Sequence, residues 1–128
     1  MHQTVVLFVE DSAGDALLTT QILAESLPQI KLYIARDGEQ ALAMLADTQF
    51  RPAMIILDLS LPKLSGFEVL ERSPRKDVPV VIFSASSRGS DVERTLSLGA
   101  KEYVHKPLNM SDYRNAVLQM VHNWAIAK

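Results

Sequence analysis

Apolar residues fall along this chain in two alternating rhythms. Runs of strand length are followed by stretches whose apolar positions recur every three to four residues. Thr4–Val9 is an unbroken apolar run after its first residue, as expected of a strand covered on both faces. Leu18, Ile22, Leu23 and Leu27 then mark one side of a helix over about Ala16–Leu27, which Pro28 stops. Ile30–Ile34 alternates apolar and polar residues and predicts a half-exposed edge strand. Asp37 is placed to cap a second helix whose buried side is Ala41, Leu42, Leu45 and Ala46. Ala53–Leu57 is another continuous apolar run and ends at Asp58.

The second half repeats the alternation. A loop over Pro62–Gly66 leads to a short helix, Phe67–Arg72, cut off before Pro74. Val78–Phe83 predicts a fourth strand ending at Ser84. Ser90-Asp91-Val92-Glu93 has the form of a capping box and predicts a helix to about Leu98, closed by Gly99. Glu102–His105 predicts a fifth strand. Asn109 opens the last helix, with the stripe Tyr113, Val117, Met120/Val121 and Trp124.

Five strand–helix units joined by right-handed crossovers predict an α/β fold, a doubly wound (βα)5 parallel sheet of the flavodoxin-like kind. Every strand then points its C-terminal end to the same rim, where ligands bind in open α/β sheets. The residues there are Glu10 and Asp11, Asp58, Ser84 and Lys106. Bringing Glu10, Asp11 and Asp58 together requires the first and third strands to be neighbours. With the alternating second strand at the edge, the order is 2-1-3-4-5.

Composition narrows the chemistry. The chain has 128 residues, enough for a single domain over 1–128, which buries about two thirds of its unfolded surface. The net charge of -2 offers no field for nucleic acid or an anionic membrane. Without cysteine there is no disulfide, thiolate metal site or thiol nucleophile. The opening Met1-His2-Gln3-Thr4 lacks a basic segment and a long apolar span follows nowhere, so a cytoplasmic location is expected. Three clustered carboxylates repel one another unless a cation intervenes, and hard oxygen ligands suit Mg²⁺. A metal, an ammonium at Lys106 and a hydroxyl donor at Ser84 are the parts a phosphoryl-transfer transition state needs. Asp58 can then attack phosphorus and form an acyl phosphate. On its own, Asp58 would read as a turn former, and the other strand ends reverse that.

Over essentially its full length the chain resembles a response-regulator receiver domain. The resemblance rests on Glu10-Asp11, on Asp58 ahead of Leu61-Pro62 and Gly66, on Ser84-Ala85, and on Tyr103 three residues before Lys106-Pro107. It implies that Asp58 accepts phosphate from the phosphohistidine of a histidine kinase. Asp11 and Asp58 would ligate Mg²⁺ directly with the Ser60 backbone carbonyl, and Glu10 through water. Lys106 would pair with the phosphoryl group. Ser84 would bond to it and shift inward, and Tyr103 would swing from exposed to buried. A cis bond before Pro107 is also implied. The switching surface would be helix 4, strand 5 and helix 5, with no separate substrate turned over. The first loop and a tryptophan near the end of the last helix resemble, more narrowly, stand-alone regulators of phytochrome-type kinases. A downstream protein or a histidine phosphotransfer protein would read the result.

Other readings meet specific obstacles. A haloacid-dehalogenase-type phosphatase places a second Asp two residues after its nucleophile, where this chain has Ser60. A flavodoxin-like nucleotide binder needs a phosphate nest, which Glu10-Asp11 would repel. A degenerate receiver acting only as a scaffold predicts a missing acid or lysine. His2, His105 and His122 are scattered and are read as non-catalytic. Asp15 is read as starting the first helix rather than binding metal. From Tyr113 to Ala127 the only formal charge is Arg114, and Leu118, Ala125 and Ile126 add to the apolar stripe. That surplus suggests a homodimer or kinase contact through the last helix, with Leu118 and Trp124 at its interface.

Overall fold

The computed structural model describes residues 3–86 and 88–126. It contains β1 (Thr4–Val9), α1 (Ala13–Ser26), β2 (Ile30–Ala35), α2 (Gly38–Ala46), β3 (Met54–Leu57), α3 (Gly66–Arg72), β4 (Val80–Ser84), α4 (Gly89–Ser97), β5 (Glu102–His105) and α5 (Met110–Val121). The strands form one sheet in the order β2-β1-β3-β4-β5, all pairs parallel. It puts β1 beside β3, as uniting the three acids requires, and the alternating β2 at the edge.

The unbroken apolar runs have a plain cause. Successive strand residues point to opposite faces, and both faces are covered. Val6, Phe8, Met54, Ile56, Val81 and Phe83 pack under α1 and α5, against Ile22, Leu23, Tyr113 and Val117. Leu7, Val9, Ile55, Leu57, Val80 and Ile82 pack on the other side with Ala41 and Leu45 of α2 and Val69 and Leu70 of α3. Each fully buried Leu, Ile or Phe contributes about 1.5–3 kcal/mol relative to exposure. Only β2, at the edge, alternates between buried and exposed positions.

Helix ends depart from the sequence reading in three places. α1 begins at Ala13, because Ser12 caps it by accepting from the Asp15 amide at 3.2 Å. Asp15 therefore does not start the helix; it lies in its first turn. The capping box is on α3, where Ser65 and Glu68 satisfy each other's backbone amides. α4 instead enters at Gly89, so Ser90 is already helical and cannot cap; Arg88 sits at the cap without a side-chain bond.

α5 runs into a π turn over His122–Ile126. The wider turn rotates the register, and Ala125 rather than Trp124 takes the next buried position. Trp124 is half-buried and its Nε1 donates to Glu102 Oε1 at 2.8 Å.

Gly66 brings the β3–α3 loop back over the strand end. A Cβ there would meet Leu59 Cα at 2.7 Å, inside any tolerable contact. Its amide donates to Leu59 O at 3.0 Å.

Candidate phosphoryl-acceptor site

The site is built by backbone ladders continuing past the strands. Glu10 N donates to Ala35 O at 2.9 Å, Asp58 N to Val9 O at 3.1 Å, and Lys106 N to Ser84 O at 2.8 Å. Each of these three side chains is thereby set one residue beyond the end of its strand. Asp58 is 6% exposed, Glu10 and Ser84 each 1%, while Asp11 is open to solvent. Carboxylate oxygens of Glu10, Asp11 and Asp58 lie within 4.8 Å of one another. Arg36 Nη2 donates to Asp11 O at 3.0 Å and pins that loop to the chain after β2.

Lys106 reaches into this acidic corner. Its Nζ donates to Glu10 Oε1, to Asp58 Oδ2 at 3.3 Å and to Asp15 Oδ2 at 2.8 Å. Its Nζ lies over the Phe83 ring, 5.9 Å from the ring centre. Burial opposes the ammonium charge. The hydrogen bonds from Asp15 and Glu10 and the pull of Asp58 outweigh burial and hold Lys106 above its ordinary range. Burial has the opposite sign for Glu10. It pushes the carboxyl up to about 7, and the Lys106 hydrogen bond only partly offsets this.

Ser60 and Ser84 flank the acid. Ser60 N donates to Asp58 Oδ1 at 3.3 Å. Ser84 Oγ accepts from Ser86 N at 3.2 Å. Tyr103 is half-buried against the α2–α3 core, and its hydroxyl donates to Ser86 O at 2.7 Å. The expected constellation of Glu10, Asp11, Asp58, Ser84 and Lys106 is thus assembled on one rim. The cis bond expected before Pro107 is absent: all described peptide bonds are trans. A prolyl amide still favours trans by about 0.5–1 kcal/mol.

Asp15 is the residue that sequence reasoning misplaced. A side chain at the third helical position points back toward the helix N-terminus, which here is the rim. The spacing of one turn from Asp11 was its available signal. The histidines do not converge. His105 Nε2 bonds to Ala85 O at 3.0 Å, His122 is exposed, and His2 lies outside the described residues. Leu118 and Trp124 are both half-buried against the chain's own α1–α5 core, and Ala125 is buried, so each offers less free surface than the apolar pattern suggested.

The donor set suits a hard divalent cation. It offers several carboxylate oxygens at one open-sided corner, and like charges there need compensation. An open cleft of about 340 Å³ adjoins it, bordered by Asp15, Leu18, Lys106, Pro107 and Tyr113. Among the described residues no helix is long and apolar enough to cross a membrane.

Comparison with known proteins gives a consistent picture. A family model described as the response regulator receiver domain matches residues 6–118. Response regulator Rcp1 of Synechocystis sp. is 35% identical over 129 residues, covering 94% of this chain and 88% of that one. A crystal structure of the Mn²⁺-bound form of Rcp1 matches with a TM-score of 0.86 at 34% identity, covering 98% and 96% of the two chains. The phosphorylated cyanobacterial phytochrome response regulator RcpA matches with a TM-score of 0.87 at 32% identity, covering 96% of this chain and 94% of its own. RPA3017, a response regulator in red light signalling of R. palustris, matches with a TM-score of 0.81 at 30% identity over 94% and 93% of the chains.

Proposed function

The chain belongs to the response regulator receiver domains of two-component signalling, and from that premise we propose that Asp58 accepts a phosphoryl group from the phosphohistidine of a sensor kinase. The observation that carries this reading is Lys106 bonded at once to Glu10 and Asp58 beside the acidic trio. In the transfer, one Asp58 oxygen forms a bond to phosphorus as the donor's nitrogen–phosphorus bond breaks. The bonding pair leaves on the imidazole nitrogen. Charge on the Asp58 side rises, and Lys106 is already placed to balance it.

Mg²⁺ would be held by Asp11, Asp58 and the Ser60 carbonyl, with Glu10 acting through water, and would supply positive charge to the phosphoryl oxygens. Ser84 Oγ donates to the new phosphoryl group, giving up its bond from Ser86 N. Because Tyr103 is bonded to Ser86 O and Ser86 Oγ to Asp91, that exchange reaches β5 and the first turn of α4. The resulting surface is read by a downstream protein or a histidine phosphotransfer protein. Residues 1–128 act as one receiver unit in this reading, working on their own phosphoryl group rather than on a separate substrate. A phytochrome-type kinase is the partner we favour. RcpA is a phytochrome response regulator and RPA3017 acts in red light signalling, and this chain matches both along most of its length. A homodimer through α5 would have to use the parts of Leu118 and Trp124 left uncovered by the core.

Incubation with acetyl phosphate and Mg²⁺, read on a phosphate-affinity gel, tests the central claim. The parent protein should give a retarded band that Asp58→Asn and EDTA both abolish. A parent without the band, or Asp58→Asn with the same band, overturns it.

A further inference from the structure

Lys106 is held by one carboxylate that does not belong to the acidic trio. Its ammonium has three protons, and the three acceptors are Glu10, Asp58 and Asp15. Glu10 and Asp58 are needed there to assemble the acidic corner. Asp15 comes from the first turn of α1 and accepts from Nζ at 2.8 Å. Lys106 is 11% exposed and Asp15 32%, so this pair is only partly screened by water.

We propose that Asp15 is a positioning residue that competes with the phosphoryl group for Lys106. While the ammonium is saturated by carboxylates, a phosphoryl oxygen on Asp58 gains it only by displacing one of them. Glu10 is anchored by the Ser12 amide at 3.1 Å and is almost wholly buried. Phosphorylation itself withdraws the charge of Asp58, whose 3.3 Å bond is the longest of the three. Of the two carboxylates that stay charged, Asp15, with its side chain partly in water, is the one released at lower cost. Its carboxylate also adds a fourth negative charge beside a site that must admit an anion. Asp15 thereby sets how firmly the acyl phosphate is held, and it couples phosphorylation to the first turn of α1.

The inference rests on Asp58 being the phosphoacceptor, and its test separates the two. Trifluoroberyllate with Mg²⁺ forms a reversible mimic of an aspartyl phosphate, so its apparent affinity can be titrated without turnover. Asp15→Asn and Asp15→Ala should both bind it more tightly than the parent. The gain should be about threefold to fivefold, the scale of a partly exposed ion pair. Glu93→Gln, which removes an exposed charge on α4, should leave the affinity unchanged. A structural lesion would weaken binding, so tightening is specific to release of Lys106. A parent that binds but Asp15 variants that bind equally or more weakly overturn this inference alone. Equal tightening by Glu93→Gln also overturns it, by making the effect one of net charge. A parent that binds no mimic overturns the phosphoacceptor reading and this inference with it.

Discussion

Tyr103 on β5 donates its hydroxyl proton to the carbonyl of Ser86 at 2.7 Å, across 17 residues of sequence. The same Ser86 gives its amide to Ser84 Oγ at 3.2 Å and its hydroxyl proton to Asp91 Oδ2 at 2.7 Å. One residue therefore joins the hydroxyl at the site, the outer strand and the first turn of α4. Tyr103→Phe removes the link while keeping the ring. It should cost about 0.5–1.5 kcal/mol of stability and speed amide exchange in the β4–α4 segment. Unchanged exchange there would show that the bond does not hold the segment.

A divalent cation should stabilise the folded chain because it draws the acidic trio together. At a concentration one hundred times its dissociation constant the gain is about 2.7 kcal/mol. That raises the melting temperature by several degrees, and EDTA should reverse it. Asp11→Asn should remove most of the gain, since Asp11 is the most exposed member of the trio and has no role in the packing of the core.

Tyr113 gives the fold an alkaline limit. Its phenol is buried, which pushes its pKa up from the ordinary value near 10 to about 12, and the hydrogen bond with Thr19 at 3.0 Å only partly opposes this. A raised folded-state pKa favours the neutral form in the folded chain. Its stabilising contribution is complete below pH 10 and is lost as pH rises toward 12. Tyrosinate absorbance should show a component titrating near pH 12 that Tyr113→Phe removes.

The capping box observed at Ser65 and the one that sequence suggests at Ser90 should separate cleanly. Ser65→Ala breaks a reciprocal pair at the start of α3 and should cost about 1 kcal/mol in chemical denaturation. Ser90→Ala, inside α4, should leave stability within about 0.5 kcal/mol of the parent.

Strand order was legible because burial on both faces leaves continuous apolar runs in the inner strands β1, β3 and β4, and because Ile30–Ala35 alternates as an edge strand does. The acids, Ser84 and Lys106 were legible because parallel strands send all their C-terminal ends to one rim. Helix entry was harder. Ser12, Asp15, Ser65 and Ser90 can all cap, and the choice among them depends on where the preceding loop turns, which local sequence does not encode. Asp15 was misplaced for that reason: moving the helix start by three residues changes it from a cap into a ligand of Lys106. The π turn was illegible because the helical stripe beyond Val121 reads equally well with Trp124 as a core residue.

That turn has an optical consequence. The chain has a single tryptophan, and the π turn leaves its indole half-buried at the edge of the core, with Nε1 bonded to Glu102 at the start of β5. The indole's emission then depends on a carboxylate carried by the strand that also bears Tyr103. Intrinsic fluorescence of the unlabelled protein becomes a gauge of β5, reporting a displacement of that strand as a change in intensity or colour without any attached dye.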